Sequence, residues 1–257
     1  VTIIGVVGVF FLKVDTNVES YFSAKSEVGR STKLINEKFG GSQFISLLFS
    51  GDVLTTEVMK RMEFYEKELI KDPSVGLVSS PVSLVKELSK GFYEPTEEGY
   101  NEIPETSDEI YQLIEIFSLG GSEDDISQYL DYNYENARIL ISLKDGSNSA
   151  NKRVLKNLNA LTKDDPNVQY AAGAGLTEIE LADIVVKGQI KSLIFALAVV
   201  FIILSFVFRS PKAGLLSGLP ITIAIVVLFG LMGIFGIALD IATALLSSIM
   251  IGVGVDY

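Results

Sequence analysis

Cysteine, histidine and tryptophan are all missing from these 257 residues. Without cysteine there is no disulfide framework and no CxxC site. Without histidine there is no Ser–His or Cys–His nucleophile pair and no His-ligated zinc. An all-carboxylate metal site has no spacing signature here: no D-x-D-x-D-G loop occurs, and no GxxxxGK[ST] phosphate loop either. The chain therefore does not read as an enzyme, and no catalytic, cofactor-binding or metal-ligating residue is expected. Positive charge is also scarce. Residues 14–186 hold 16 Lys and Arg against 30 Asp and Glu, and the whole chain carries −11. Neutralising phosphates takes clustered cations, so a nucleic-acid partner is excluded as an expectation. Docking on an anionic membrane surface is disfavoured for the same reason.

Apolar residues are plentiful but unevenly placed. The mean hydropathy of +0.38 averages a polar middle with strongly apolar ends, 1–12 and 187–257. A bilayer core of ~30 Å takes ~20 apolar residues in a helix. Three stretches fit: 189–208 (QIKSLIFALAVVFIILSFVF), 213–236 with Pro220 inside it, and 237–257 with Asp240 near its start. Arg209-Ser210-Pro211-Lys212 between the first two is long enough only for a tight turn, and its two cations suggest the cytoplasmic side. Residues 1–12 (VTIIGVVGVFFL) lack the basic start and cleavage site of a signal peptide. They read as the end of an earlier membrane helix, so an internal piece of a longer chain is expected. Pro220, Gly230, Gly233 and Gly236 read as generic membrane packing.

The polar middle is long enough for one compact domain. Strands are predicted at 44–50, 75–79, 137–143 and 168–172. Helices are predicted at 56–71, capped by Thr55 or Thr56, at 81–88 and at 149–162. Another runs from 177 toward the membrane. Residues 91–110 have no period and read as an acidic surface loop, followed by short helices at 109–118 and 123–130. Reduced to its core, the order is βαβ, insertion, βαβ. That is the split βαβ pattern of a ferredoxin-like sandwich, so the fold class is an α+β membrane protein: a βαββαβ domain plus a transmembrane helix bundle. The expected boundaries are 1–13 for the end of a first helix, 14–186 for the domain with its insertion at about 91–130, and 187–257 for helices two, three and the start of four.

The last apolar run, IMIGVGVDY at 249–257, places a carboxylate in a segment suited to lipid. Stepping back in fours from Asp256 gives Gly252, Ser248 and Ala244, which lie nearly over one another on a helix. Small stripes let helices approach closely in a membrane. The opposite side carries Leu246, Ile249, Met250 and Val253, so Asp256 would face a partner helix. An intramembrane carboxylate costs ~2.5–3.5 kcal/mol on insertion scales and often lies on an ion or proton path. Tyr257 adds a hydroxyl that can donate to it or accept from it. The other placement is at the membrane exit, because Asp256 lies ~24 Å along the axis from Asp240. Asp240 itself reads as a solvated or capping group.

The order of segments resembles the resistance–nodulation–division superfamily, in particular its MMPL-type branch. The residues that carry the likeness are Phe39-Gly40-Gly41-Ser42-Gln43, Phe206-Val207-Phe208-Arg209-Ser210, Gly218-Leu219-Pro220-Ile221 and the run 228–257, which ends in Gly252-x-x-x-Asp256. Asp240 departs from the pattern, where Asn is common. The resemblance implies a proton-motive-force-driven secondary transporter of twelve helices in two halves, each with an extracytoplasmic porter domain. It implies a proton relay of Asp256 and Tyr257, packed around by Ala244, Ser248 and Gly252, and completed by the missing second half of the same chain. It implies export of lipids or other hydrophobic compounds across a bacterial inner membrane. The partners expected are the lipid bilayer, that second half, a hydrophobic substrate and a possible homo-oligomer; no cofactor is expected. A second reading is a non-pumping receptor or assembly platform of similar architecture, whose outer domain binds a partner.

Overall fold

Turn residues punctuate this chain at every change of direction, and the elements follow from them. The computed structural model describes residues 2–120, 123–246 and 249. In chain order the elements are α1 (Thr2–Val9), a 3-10 turn (Val18–Tyr21), α2 (Glu27–Lys38), β1 (Gln43–Ser50), α3 (Thr56–Leu69), β2 (Val75–Ser79) and α4 (Pro81–Ser89). After them come α5 (Ser107–Gly120), α6 (Glu123–Ser127), β3 (Asn136–Leu143), α7 (Asn148–Thr162), β4 (Val168–Ala172), α8 (Ala174–Val207) and α9 (Pro211–Phe235). The chain divides into two units, one of Val18–Thr177 and one of Val1–Asn17 with Glu178–Tyr257.

In the Val18–Thr177 unit, each long helix starts on a hydroxyl cap. The Thr55 side chain accepts from the Val58 N–H and the Ser147 side chain from the Ala150 N–H, each satisfying one of the orphan donors of a helix start. Pro81 sits at the first turn of α4, where its missing N–H costs nothing. The four strands form one sheet in the order β2-β3-β1-β4, with every neighbouring pair antiparallel. The interleaved order and the βαβ, insertion, βαβ sequence are those of the split βαβ unit.

Alternation along β1 and β3 sorts the side chains. Ile45, Leu47, Phe49, Ala137, Ile139, Ile141 and Leu143 are buried on one face. There they join Met59, Met62 and Leu69 of α3 and Val154 and Leu158 of α7 in a single core. The insertion contributes to that core through Ile110 and Ile114 of α5. On the other face of the sheet the alternate side chains of β1 and β3 are half-buried or exposed. That face carries Phe44 opposite Ser142, Ser46 opposite Leu140, and Leu48 flanked by Arg138 and Tyr170. Phe44, Leu77 and Tyr170 are 45%, 47% and 71% exposed there.

The FGG stretch now has a physical reason. Gly41 has φ +143°, and a Cβ on it would lie 2.2 Å from the Leu143 carbonyl oxygen. Only glycine allows the chain to enter β1 hard against β3. Two expectations change. Helix α2, which the sequence reading did not include, is present, capped by Ser26 and with no buried side chain; its apolar residues Val28, Leu34 and Ile35 are exposed. Residues 237–239 are not helical. Gly236 ends α9 in the left-handed conformation (φ +69°), the Ile237 N–H donates to the Met232 carbonyl at 2.8 Å, and Leu239 then pairs with Val14 in a short parallel bridge.

Candidate functional site

The second unit is built on helices α1, α8 and α9. By length and composition α8 and α9 can each cross a membrane. The most apolar 18 residues of α8 are only 6% buried, so Phe195, Ile202 and Phe206 point outward, where lipid rather than water suits them. The link between the two helices is as tight as expected. Arg209 takes a positive φ of 51°, Ser210 caps α9 by accepting from the Ala213 N–H, and Pro211 opens the helix.

Helix α1 lies directly on α9, backbone against backbone. A Cβ on Gly8 would sit 2.1 Å from the Gly230 carbonyl oxygen, one on Gly230 2.1 Å from that of Gly5, and one on Gly233 2.0 Å from that of Gly8. Gly230 and Gly233 were expected to be packing residues; their partners Gly5 and Gly8 were not foreseen. Gly236 is no part of this contact, because nothing lies within 4 Å of the place its Cβ would take. It is a helix terminator. Pro220 is accommodated inside α9.

Beyond the bridge at Leu239 the next helix begins, at 241–246 among the described residues. Asp240 starts it. Its carboxylate accepts from the Thr243 N–H at 2.7 Å, and its own N–H donates to the Thr243 hydroxyl at 2.8 Å. This reciprocal cap satisfies donors at both positions. Asp240 is therefore a cap, but it is only 9% exposed and not a solvated group. One turn on, Ala244 is 8% exposed and packs with Ile225, Phe229 and Met232 of α9 and with Leu239. Of the five residues assigned to the relay and its packing, Ala244 is thus placed. Ser248, Gly252, Asp256 and Tyr257 lie outside the described residues.

In the Val18–Thr177 unit the polar chemistry is structural. Asp72, at the end of α3, is the hub of one cluster. Arg153 of α7 donates to its two carboxylate oxygens at 3.1 and 3.2 Å and to the Ser74 hydroxyl. The Arg153 guanidinium holds the Asp72 carboxyl below the usual carboxylate range, against the opposing effect of burial. A folded-state value lowered in this way gives stability that is present above the unfolded value of about 3.9 and is lost as pH falls through the folded value. The Asp72→Asn variant should therefore lose part of the wild-type dependence of unfolding midpoint on pH on the acid side. Identical acid limbs in the two proteins would show that the pair contributes nothing. A cavity of about 620 Å³ beside this pair is lined by Leu69, Asn157 and Leu161 among others. Among the described residues no group of three or more acidic side chains is arranged to hold a metal ion.

In chain order, a split βαβ domain is inserted between α1 and two helices, α8 and α9, that are long and apolar enough to cross a membrane. Residues 112–257 match the MMPL family, and the chain belongs to that family. It is also 24% identical over 262 residues to a protein of Methanocaldococcus jannaschii whose name describes it as a membrane protein; the match covers 96% of this chain and 64% of that one. The chain thus spans less than two thirds of its relative, and the relative's whole length comes to about 400 residues.

Proposed function

We propose that this chain is part of a proton-driven secondary transporter that exports lipids or other hydrophobic compounds. The observation that carries the reading is Gly252-x-x-x-Asp256-Tyr257 at the end of an apolar run, in a chain of the MMPL family. Asp256 takes up and releases the proton. A carboxylate within an apolar, membrane-suited run often lies on an ion or proton path. Tyr257 holds the proton's hydrogen-bond path. In sequence, Ser248 and Gly252 fall at four-residue steps between Ala244 and Asp256, a spacing that on a helix would let a partner helix approach the carboxylate closely. The Val18–Thr177 unit lies on the extracytoplasmic side of the cell membrane and passes cargo outward. The Arg209–Lys212 turn lies in the cytoplasm, as its two cations favour.

The test is the Asp256→Asn change in the full-length protein, reconstituted in vesicles with an imposed pH gradient and a fluorescent lipid as cargo. Transport should fall at least a hundredfold while the protein inserts and purifies normally. Unchanged transport would remove the proton role. The receptor or platform reading, in which the outer unit alone does the work, would then take its place.

A further inference from the structure

We infer that α2 is an interfacial helix, whose exposed apolar side lies in the headgroup region of a bilayer and whose cations face anionic lipid. Packing does not account for this helix. α2 has twelve residues and no buried side chain, and an isolated helix of that length is marginal in water. None of its apolar side chains joins the core of the Val18–Thr177 unit. Polar groups fix it near its two ends. The Ser26 hydroxyl accepts from the Gly29 N–H, and the Asn36 side chain accepts from the Ser42 N–H at 2.7 Å and from the Ser42 hydroxyl at 2.8 Å.

Exposed apolar side chains are concentrated around it. Among the described residues of the Val18–Thr177 unit, six of the sixteen large apolar side chains that stand exposed fall within 21–39: Tyr21, Phe22, Val28, Leu34, Ile35 and Phe39. Val28, Ile35 and Phe39 recur at steps of seven and four, so they share one side of the helix. Leu34 and Lys38, one turn apart, lie on the adjoining side. Tyrosine is enriched at membrane–water boundaries, and phenylalanine and leucine on the apolar side of interfacial helices. Here aromatic rings stand at both ends, Tyr21 and Phe22 before α2 and Phe39 after it.

Charge selects the occupant. Over residues 14–186 carboxylates outnumber cations 30 to 16, and a surface of that sign is repelled by anionic lipid. Residues 25–38 reverse it. They carry Lys25, Arg30, Lys33 and Lys38, all exposed, against Glu27 and Glu37. Exposed cations beside exposed apolar side chains are the pairing that draws a helix onto an anionic bilayer. Chain order brings the bilayer within reach. Only residues 10–26 separate α2 from α1, and α1 packs on α9, which is long and apolar enough to cross a membrane. The short tether raises the effective concentration of lipid around α2.

An interfacial helix lies in the membrane plane with its apolar side ~5–10 Å into the boundary between headgroups and acyl chains. Val28, Ile35 and Phe39 enter that boundary. Lys38, beside them, buries its stem along the apolar surface and keeps its ammonium among the phosphates. Arg30 and Lys33, on the polar side, add to the local positive charge. The contact weakens as salt rises, because its charges are exposed.

The experiment places an environment-sensitive fluorescent amino acid at Ile35 in the full-length protein. Ile35 is exposed, so the core is untouched. The protein is held in nanodiscs that contain anionic lipid and a lipid with a nitroxide in its headgroup region. The nitroxide should quench the probe at least about threefold. The same probe at Lys60, on the exposed side of α3, should keep its emission. Exchanging anionic for neutral lipid, or combining Lys33→Glu with Lys38→Glu, should each reduce the quenching at least about twofold. No quenching at Ile35, equal quenching at the two positions, or quenching indifferent to lipid charge would overturn the inference. So would emission at Ile35 that is shifted to the blue yet unquenched, because a protein surface, of this chain or another, would then cover α2. Asp256→Asn should leave the quenching unchanged, so failure of the transport reading and failure of this one are separately visible.

Discussion

Replacing Gly230 by valine is expected to pry α1 away from α9 and to destabilise the protein by at least about 3 kcal/mol, the upper end for overpacking. The contact leaves no room for a side chain. A Cβ at this position would lie 2.1 Å from the Gly5 carbonyl oxygen and 2.4 Å from the Gly5 Cα, both backbone atoms that no rotamer change can move. Even alanine forces the helices apart. Close approach is what holds two apolar helices together in lipid, since lipid tails are as apolar as leucine and burial alone provides no drive. The loss therefore falls on dispersion contacts along the whole α1–α9 seam.

Gly218 is the control on the same helix. Nothing lies within 4 Å of its Cβ position, and alanine there should be neutral or stabilising by up to about 1 kcal/mol, because it removes a flexible residue from a helix interior. Gly236 separates a second cause. Its Cβ position is open, but its φ is +69°, so alanine there should cost about 1 kcal/mol through backbone strain alone. Thermal unfolding of the full-length protein in detergent ranks the three. If Gly230→Val unfolds within a degree of wild type, the two backbones are not in contact and the seam is wrong.

What could be read from sequence was decided by how local the cause is. Strands β2 and β4 match the expected bounds, and β1 and β3 differ by one residue, because each is a short apolar run closed by Gly, Pro or Asp turns. Helix α3 was legible from Val58, Met62, Tyr65 and Leu69, all of which are buried. The split βαβ order followed from those elements, and the sheet order agrees with it. Helix α2 has only three apolar side chains, Val28, Leu34 and Ile35, in twelve residues, and none of them is buried.

The α1–α9 seam was half legible. Gly230 and Gly233 stand out in an apolar run, but nothing in the sequence says that Gly5 and Gly8, more than 220 positions away, are what they meet. In sequence, Asp240 suits a solvated or a capping place. Asp-x-x-Thr announces the cap, while its burial depends on how Leu239 returns to pair with Val14. The relay residues Asp256 and Tyr257 are the reverse case. Their argument is sequence chemistry throughout, since they lie outside the described residues.

Asp165 shows most clearly what sequence conceals, and removing it should be among the more damaging changes to a polar residue in the Val18–Thr177 unit. In sequence, Asp165-Pro166 is a helix stop after α7. In the structure its side chain is only 2% exposed and gathers three partners. Its Oδ2 accepts from the Tyr65 hydroxyl at 2.8 Å and lies 3.3 Å from the Arg61 Nε, while its Oδ1 accepts from the Asn167 N–H at 3.0 Å. Arg61 also donates to the Asn167 side chain, which in turn donates to the Ser50 carbonyl at 2.9 Å. One carboxylate thus ties α3, the turn into β4 and the end of β1 together. Breaking a buried ion pair from one side costs about 3–5 kcal/mol. Arg61 is 30% exposed and can turn toward water, so Asp165→Ala is expected at about 2–4 kcal/mol after that discount.

Tyr65 supplies an independent readout of the same network. Burial, with the adjacent Asp165 carboxylate, pushes its hydroxyl up to about 12. A folded-state value raised in this way gives stability that is complete below the unfolded value of about 10 and is withdrawn as pH rises toward 12. Asp165→Asn keeps the side-chain shape and an acceptor but removes the charge, so it should cost less than alanine and lower the Tyr65 titration toward 10. Chemical unfolding followed by tyrosine fluorescence is a clean probe, because the chain has ten tyrosines and no tryptophan to mask them. An Asp165→Ala protein that unfolds within about 0.5 kcal/mol of wild type, the range of an ordinary surface change, would mean that the three elements hold together without this carboxylate.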